Sequence, residues 1–257
     1  TEGEAIFLPE LVERYPTKAE NFIWYKVMVT HQAGHIEFGS FDFRFDRKSN
    51  LFPDQRPQLA WKSGSVDAPT DLRRFFDLFD DRTLATDIFT VVEDGRVDFL
   101  VNREYKGISQ DYKRVQREAL SARPPLHTRP LREALLEVLI QISLGSLEDF
   151  SFPPKLHVPL QQASRILKMV QSPQATVEDA AEATIWLYQI LCQVPNELSP
   201  TDLSKLSLDG DAVPSPATFG KENNVLLYTS PPEVEFRGEF KPELVQLLAR
   251  LKTQRRE

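Results

Sequence analysis

His31 and His35 lie four residues apart in the stretch Thr30 to His35, with Gln32 and Gly34 between them. On a helix that spacing projects both imidazoles from one face, one turn above the other, and so offers two nitrogen ligands to a single metal ion. The pattern matches the His-Glu-x-x-His signature of zinc proteases at every position but one. Where that signature carries the glutamate that takes a proton from zinc-bound water, this chain has Gln32. A neutral amide is not basic enough for that task, so a candidate ligand pair is kept while the general base is lost.

A zinc site of this kind needs a third ligand, commonly a carboxylate from a later helix. The run Asp87 to Asp98 supplies the best candidate, Glu93, which sits between apolar residues where an unpaired charge is costly. His31, His35 and Glu93 are therefore expected to form a three-ligand zinc site with one open position. Asp94 and Asp98 rank behind Glu93, and Arg96 is placed to steady a carboxylate. The same side chains can also hydrogen-bond to one another in a core without metal, and spacing alone leaves both readings open. The other histidines, His127 and His157, lie near prolines and read as loop residues on the surface or in packing. Glu13, Glu37 and the remaining carboxylates read as solvated helix faces. The chain has no glycine-rich phosphate loop, no Gly-x-Ser-x-Gly elbow and no Cys-x-x-Cys pair.

The elements that must position these residues are mainly helical. Trp24, Val27 and Met28 continue the histidine face toward the N-terminus of a helix over 20–38, which the pair Thr17 and Glu20 opens as a capping box. Further helices are expected over 70–79 from a cap at Thr70, 82–104 with Gly107 as its C-terminal cap, 109–121, 129–143, 160–170, 177–194 from a cap at Thr176, and 242–252. Short strands are expected at Glu4 to Pro9, at Phe41 to Phe45, whose residues alternate, and within 225–236. Residues 46–69 read as a proline-interrupted connection around Trp61, 145–159 as an inter-helix loop, and 195–223 as a polar loop or insertion. The fold class is thus a mainly α, multi-helix domain with a few short strands and a degenerate zincin-like core. Residues 1–145 hold the His-Gln-x-x-His half and 146–257 a helical second half.

Composition narrows the function classes. Among 257 residues there are 31 Lys and Arg against 38 Asp and Glu, a net charge of −7. The one basic cluster, Lys252 to Arg256, reads as a helix C-terminus complementing its own dipole, so nucleic acid is not an expected partner. No apolar run has the length of a membrane span. The single cysteine, Cys192, excludes an internal disulfide. In the apolar run Ile185 to Cys192 it reads as a small buried hydrophobe, and reducing cytoplasm is the expected compartment.

Several stretches together resemble the CbbO/NorD family of accessory proteins: Gly3 to Pro9, Asn21 to Val27, Thr30 to Gly39, Asp87 to Asp98, Arg103 to Ile108 and Phe236 to Leu244. Residues 145–223 contribute nothing to the likeness. Such proteins carry a C-terminal von Willebrand factor A domain and act with a hexameric AAA+ ATPase of the MoxR class. The CbbO branch remodels inhibited Rubisco in carbon fixation, and the NorD branch supports maturation of nitric-oxide reductase. The Asp-x-Ser-x-Ser motif of the A domain does not occur in this chain, which is accordingly expected to be the portion preceding that domain. The resemblance thus implies a non-enzymatic adaptor body, CbbO-like before NorD-like, with the ATPase activity in its partner. The competing expectation is a zinc-dependent hydrolase with an unusual base, such as Glu37.

Overall fold

Thr17 opens the first helix, α1 (Lys18–Glu37): its hydroxyl accepts from the Glu20 backbone N–H at 3.2 Å. Trp24, Val27, Met28, His31, Gln32, Gly34 and His35 form the buried stripe of this helix. The structure, a computed structural model, describes residues 6, 8–63, 68–145, 154–198 and 226–254. The remaining α-helices among these are α2 (Arg56–Ser63), α3 (Asp71–Phe76), α4 (Arg82–Glu104), α5 (Ser109–Ser121), α6 (Leu131–Leu144), α7 (His157–Val170), α8 (Val177–Gln193) and α9 (Pro242–Gln254). The mainly helical class read from the sequence is the observed one. None of these helices is long and apolar enough to cross a membrane.

α4 is the axis of the molecule. It starts from Asp81, whose carboxylate accepts from the Leu84 N–H at 3.0 Å, and every residue from Val91 to Asp98 is buried. Helices α1, α5, α6, α7 and α8 all pack on it, so the two sequence halves share one core. A helix enclosed on all sides can carry charges only where each finds a partner, and α4 carries four in its buried stretch: Glu93, Asp94, Arg96 and Asp98. Gly34 allows α1 to lie close against it. A Cβ at Gly34 would stand 2.9 Å from Val97 Cγ1 and 3.0 Å from Val101 Cγ2, so the bare backbone between the two histidines lets their rings reach α4.

Several expectations are corrected. Phe41 to Phe45 does not pair into a strand, and among the described residues of 226–236 only an isolated bridge residue, Leu226, occurs. Side chains of α8 take the place of a partner strand for the segment after Phe43. Glu178 accepts from Arg44 N at 3.2 Å, Asp179 from Asn50 N and Leu51 N at 2.9 and 2.6 Å, and Glu182 from Gln55 N at 2.9 Å. The stretch 46–69, read as a connection, contains α2. Pro57 falls in its first turn, where a missing N–H costs little, and Arg56 is anchored by Glu182 at 2.7 Å. α4 ends at Tyr105, whose N–H bonds Val101 O at 2.9 Å, rather than at Gly107. α7 begins at His157, so this residue belongs to a helix, not a loop. Cys192 is exposed, because it falls one residue past the last inward position of α8, Leu191. The expected strand at Glu4 to Pro9 and the loop 195–223 lie largely outside the described residues.

Candidate metal centre

The rings of His31 and His35 are fully buried and meet edge to face, with centroids 4.8 Å apart. Their Nε2 atoms face each other at 3.1 Å. The carboxylate that faces both is Asp94: its Oδ1 lies 3.6 Å from His31 Nε2 and 3.3 Å from His35 Nε2. Glu93, ranked first from the sequence, is not in this group. It lies behind His35, where Arg96 binds it through Nε at 2.8 Å and Nη2 at 2.5 Å. The Ser40 hydroxyl donates to Glu93 Oε1 at 2.5 Å. The third position therefore passes from Glu93 to Asp94, and Arg96 steadies Glu93 as its type and spacing imply. Among the described residues, the group able to hold a metal ion is His31, His35 and Asp94, all buried.

Hydrogen bonding fixes which nitrogens face the centre. The Ser40 hydroxyl spends its proton on Glu93, so it accepts from His35 Nδ1 at 2.9 Å. Asp98 Oδ1 lies 2.8 Å from His31 Nδ1 and also receives the Tyr112 hydroxyl proton. An ionised carboxylate only accepts, so His31 Nδ1 carries hydrogen as well. With both Nδ1 positions protonated, neutral rings turn two Nε2 lone pairs toward each other and toward Asp94 Oδ1, a buried atom with no hydrogen-bond partner. Three acceptors without a donor between them require a cation, either a proton or a metal.

The dimensions fit a metal. Ligand atoms about 2.0–2.1 Å from a tetrahedral ion stand about 3.3 Å from one another, and the three separations here are 3.1, 3.3 and 3.6 Å. Each histidine is held from behind, His31 by Asp98 and His35 by the Ser40–Glu93 pair, which is the outer-shell arrangement that orients metal-ligating imidazoles. Charge calls for a cation at the same place, a proton or a metal ion. The carboxylates of Glu93, Asp94 and Asp98 face only two buried guanidiniums, Arg96 and Arg237. The set is thus one positive charge short.

Protonation equilibria follow from these contacts. Burial pulls His31 down, but Asp94 and Asp98 together outweigh it and raise its pKa. Burial prevails at His35, whose pKa is lowered with His31 adding to the effect. In all three carboxylates burial raises the pKa and is overcome, by Arg96 at Glu93, by His31 and His35 at Asp94, and by Arg237 at Asp98. Without metal, the proton of the centre accordingly sits on His31.

Sequence reasoning missed the roof of the centre, the strap Pro231–Lys241. Phe240 stacks on His35 with centroids 4.3 Å apart, and Phe236 meets His31 edge-on at 5.8 Å. Arg237 reaches inward to Asp98 Oδ2 at 2.6 Å and to Ser143 Oγ at 3.0 Å. Gln32 holds the strap down by donating its side-chain amide to the Arg237 carbonyl. Gly238 sits beside this contact with φ of +67°, and a Cβ there would stand 2.9 Å from Gln32 Nε2. The likeness at Phe236 to Leu244 was the one signal in the sequence that marked this segment. His127 and His157 are both exposed.

No protein-family model matches the chain, and no curated protein or solved structure matches it either.

Proposed function

We propose that this chain is a zinc-bearing helical adaptor domain, itself without enzymatic activity, of a complex driven by a hexameric MoxR-class AAA+ ATPase. Its client is a protein to be remodelled, with inhibited Rubisco preferred over nitric-oxide reductase, and its compartment is the cytoplasm. The observation that carries this reading is where the stretches resembling the CbbO/NorD family come together. Thr30 to Gly39 supplies the two histidines, Asp87 to Asp98 supplies Asp94 and Asp98, and Phe236 to Leu244 supplies Arg237 and the covering phenylalanines. Three of the six stretches, from distant parts of the chain, thus meet at one buried centre.

Zinc suits two imidazoles and a carboxylate at tetrahedral spacing, since it has no electronic preference for another geometry. A role in holding the domain together supports the adaptor reading over hydrolysis. Gln32, at the place of the protease base, is neutral and engaged with the Arg237 carbonyl. Glu93 is held by Arg96 and Ser40, and Glu37 is exposed and bound by the Tyr105 hydroxyl. Neither Glu93 nor Glu37 is thus left free to act as a general base toward the centre.

The test is to mix the untagged chain with a purified hexameric MoxR-class ATPase and follow co-elution by size-exclusion chromatography, with zinc measured in the same fractions. Co-elution with about one zinc per chain is the expected result. A chain that carries zinc and ignores such ATPases would leave a metal-stapled spacer and refute the adaptor role.

A further inference from the structure

Two groups beside the centre, Asp94 and Arg237, each carry an atom without a hydrogen-bond partner among the described residues, one an acceptor and the other a donor. Asp94 Oδ1 is buried and accepts no hydrogen bond, with His35 Nε2 and His31 Nε2 at 3.3 and 3.6 Å. Arg237 Nη1 makes no hydrogen bond among the described residues, while Nε and Nη2 of the same guanidinium are fully engaged. Nη1 stands 3.9 Å from Asp94 Oδ2. Both residues line a cavity of about 210 Å³ that runs under the strap. Val91, Ile140 and Phe240 make part of its wall apolar, Thr86 and Thr90 add hydroxyls, and Lys241 stands with the carboxylates Asp87, Glu233 and Glu239 on the rest.

Coordination and charge both call for one more group at this place. Three ligands are present among the described residues, whereas a tetrahedral ion takes four, and a fourth position not filled by protein is open to an exogenous donor. A divalent ion turns the single negative charge of Glu93, Asp94, Asp98, Arg96 and Arg237 into a single positive one. One monoanion closes that balance in a low-dielectric site where an unmatched charge is costly.

We propose, resting on the metal reading above, that the cavity under the strap is the binding site of a small carboxylate. One oxygen of the carboxylate completes the metal's coordination and the other accepts from Arg237 Nη1. A carboxylate fits because its two oxygens can bridge a cation and a guanidinium in one plane, and the apolar wall accommodates a short hydrocarbon body. The cavity is several times a single water's share of liquid volume, about 30 Å³, so there is room for more than a bound hydroxide.

The experiment uses the full chain with cobalt(II) in place of zinc, because the visible d–d absorption of cobalt reports coordination number and donor type. Cobalt uptake lost in His35→Ala establishes the metal site by itself, and failure to take up cobalt refutes the metal reading before the carboxylate enters. With cobalt bound, titration with acetate is expected to shift the d–d bands saturably, whereas acetamide, of the same shape but neutral, leaves them unchanged. Arg237→Lys is expected to weaken the acetate response by about tenfold or more, with cobalt still bound. A cobalt spectrum indifferent to acetate in millimolar excess overturns the proposal, as does an equal response to acetamide. The acetate and acetamide titrations need no variant, so the outcome does not depend on whether Arg237→Lys folds.

Discussion

Asp98 Oδ1 lies 2.8 Å from His31 Nδ1 and fixes the tautomer that turns His31 Nε2 toward His35 and Asp94. The same carboxylate anchors the strap, because its Oδ2 receives Arg237 at 2.6 Å. One side chain on α4 thus couples the ligand geometry to the cover of the site. Loss of such an outer-shell carboxylate typically lowers metal affinity by about 10–100-fold. Asp98→Asn is accordingly expected to weaken zinc binding by about that factor. Competition against a chromophoric chelator would measure it, and unaltered affinity in a folded variant would contradict the assigned orientation of His31.

His31→Ala and His35→Ala should each destabilise the protein even when metal is withheld. Either change removes one buried hydrogen-bond partner, from Asp98 and Tyr112 in the first case and from Ser40 in the second. The cost is on the order of 1–3 kcal/mol. Zinc should then widen the gap between parent and variant, since a ligand bound only to the native state adds stability as its concentration rises. Urea unfolding with chelator and with zinc separates the two contributions. Equal midpoints for parent and variants under both conditions would sink the reading.

How much of this was visible beforehand differs between elements and site. The helices announced themselves through caps at Thr17, Thr70 and Thr176 and through the apolar stripe of α1, all of which the structure reproduces. α2 escaped because its anchor, the pair of Arg56 with Glu182, joins residues far apart in sequence. At the centre, the histidine pair was legible from spacing and the carboxylate that faces it only to within one position. Adjacent residues on a helix point about 100° apart, and α4 is buried all round, so apolar periodicity does not say which carboxylate faces α1. Glu93 has its own partner Arg96 three residues on, which leaves Asp94 for the histidines. The strap was out of reach, since nothing local in Phe236, Arg237 or Phe240 reveals that they cross α1 and α4.

Gln32→Glu tests what the amide does. Restoring the protease glutamate places a carboxylate, which cannot donate when ionised, against the Arg237 carbonyl that now receives the Gln32 amide hydrogen. The expected result is a loss of about 1–3 kcal/mol in stability, faster hydrogen exchange across residues 231–241, and no peptidase activity. Gain of zinc-dependent peptide cleavage in this variant would instead reveal a competent hydrolytic scaffold.

Acid should dismantle the centre in a direction set by its carboxylates. The pKa values of Glu93, Asp94 and Asp98 are all lowered in the folded chain. A group whose folded pKa lies below its unfolded value contributes stability that is fully present above the unfolded value. That stability disappears as pH falls through the folded one. His35, also lowered, acts in the same sense from the ordinary histidine range downward, because the unfolded chain binds its proton first. His31, raised, opposes them: it adds stability below its unfolded pKa and loses it as pH rises through the folded value. Three carboxylates and His35 against one histidine make the centre's own contribution fall toward acid, beginning near pH 6 and steepening below about pH 4, with the raised Asp87 and Glu133 opposing it. Urea midpoints of the metal-free protein across this range give the profile, and Asp94→Asn is expected to flatten its acid limb. An acid limb as steep in Asp94→Asn as in the parent would show that Asp94 is not held in its charged form by the two histidines.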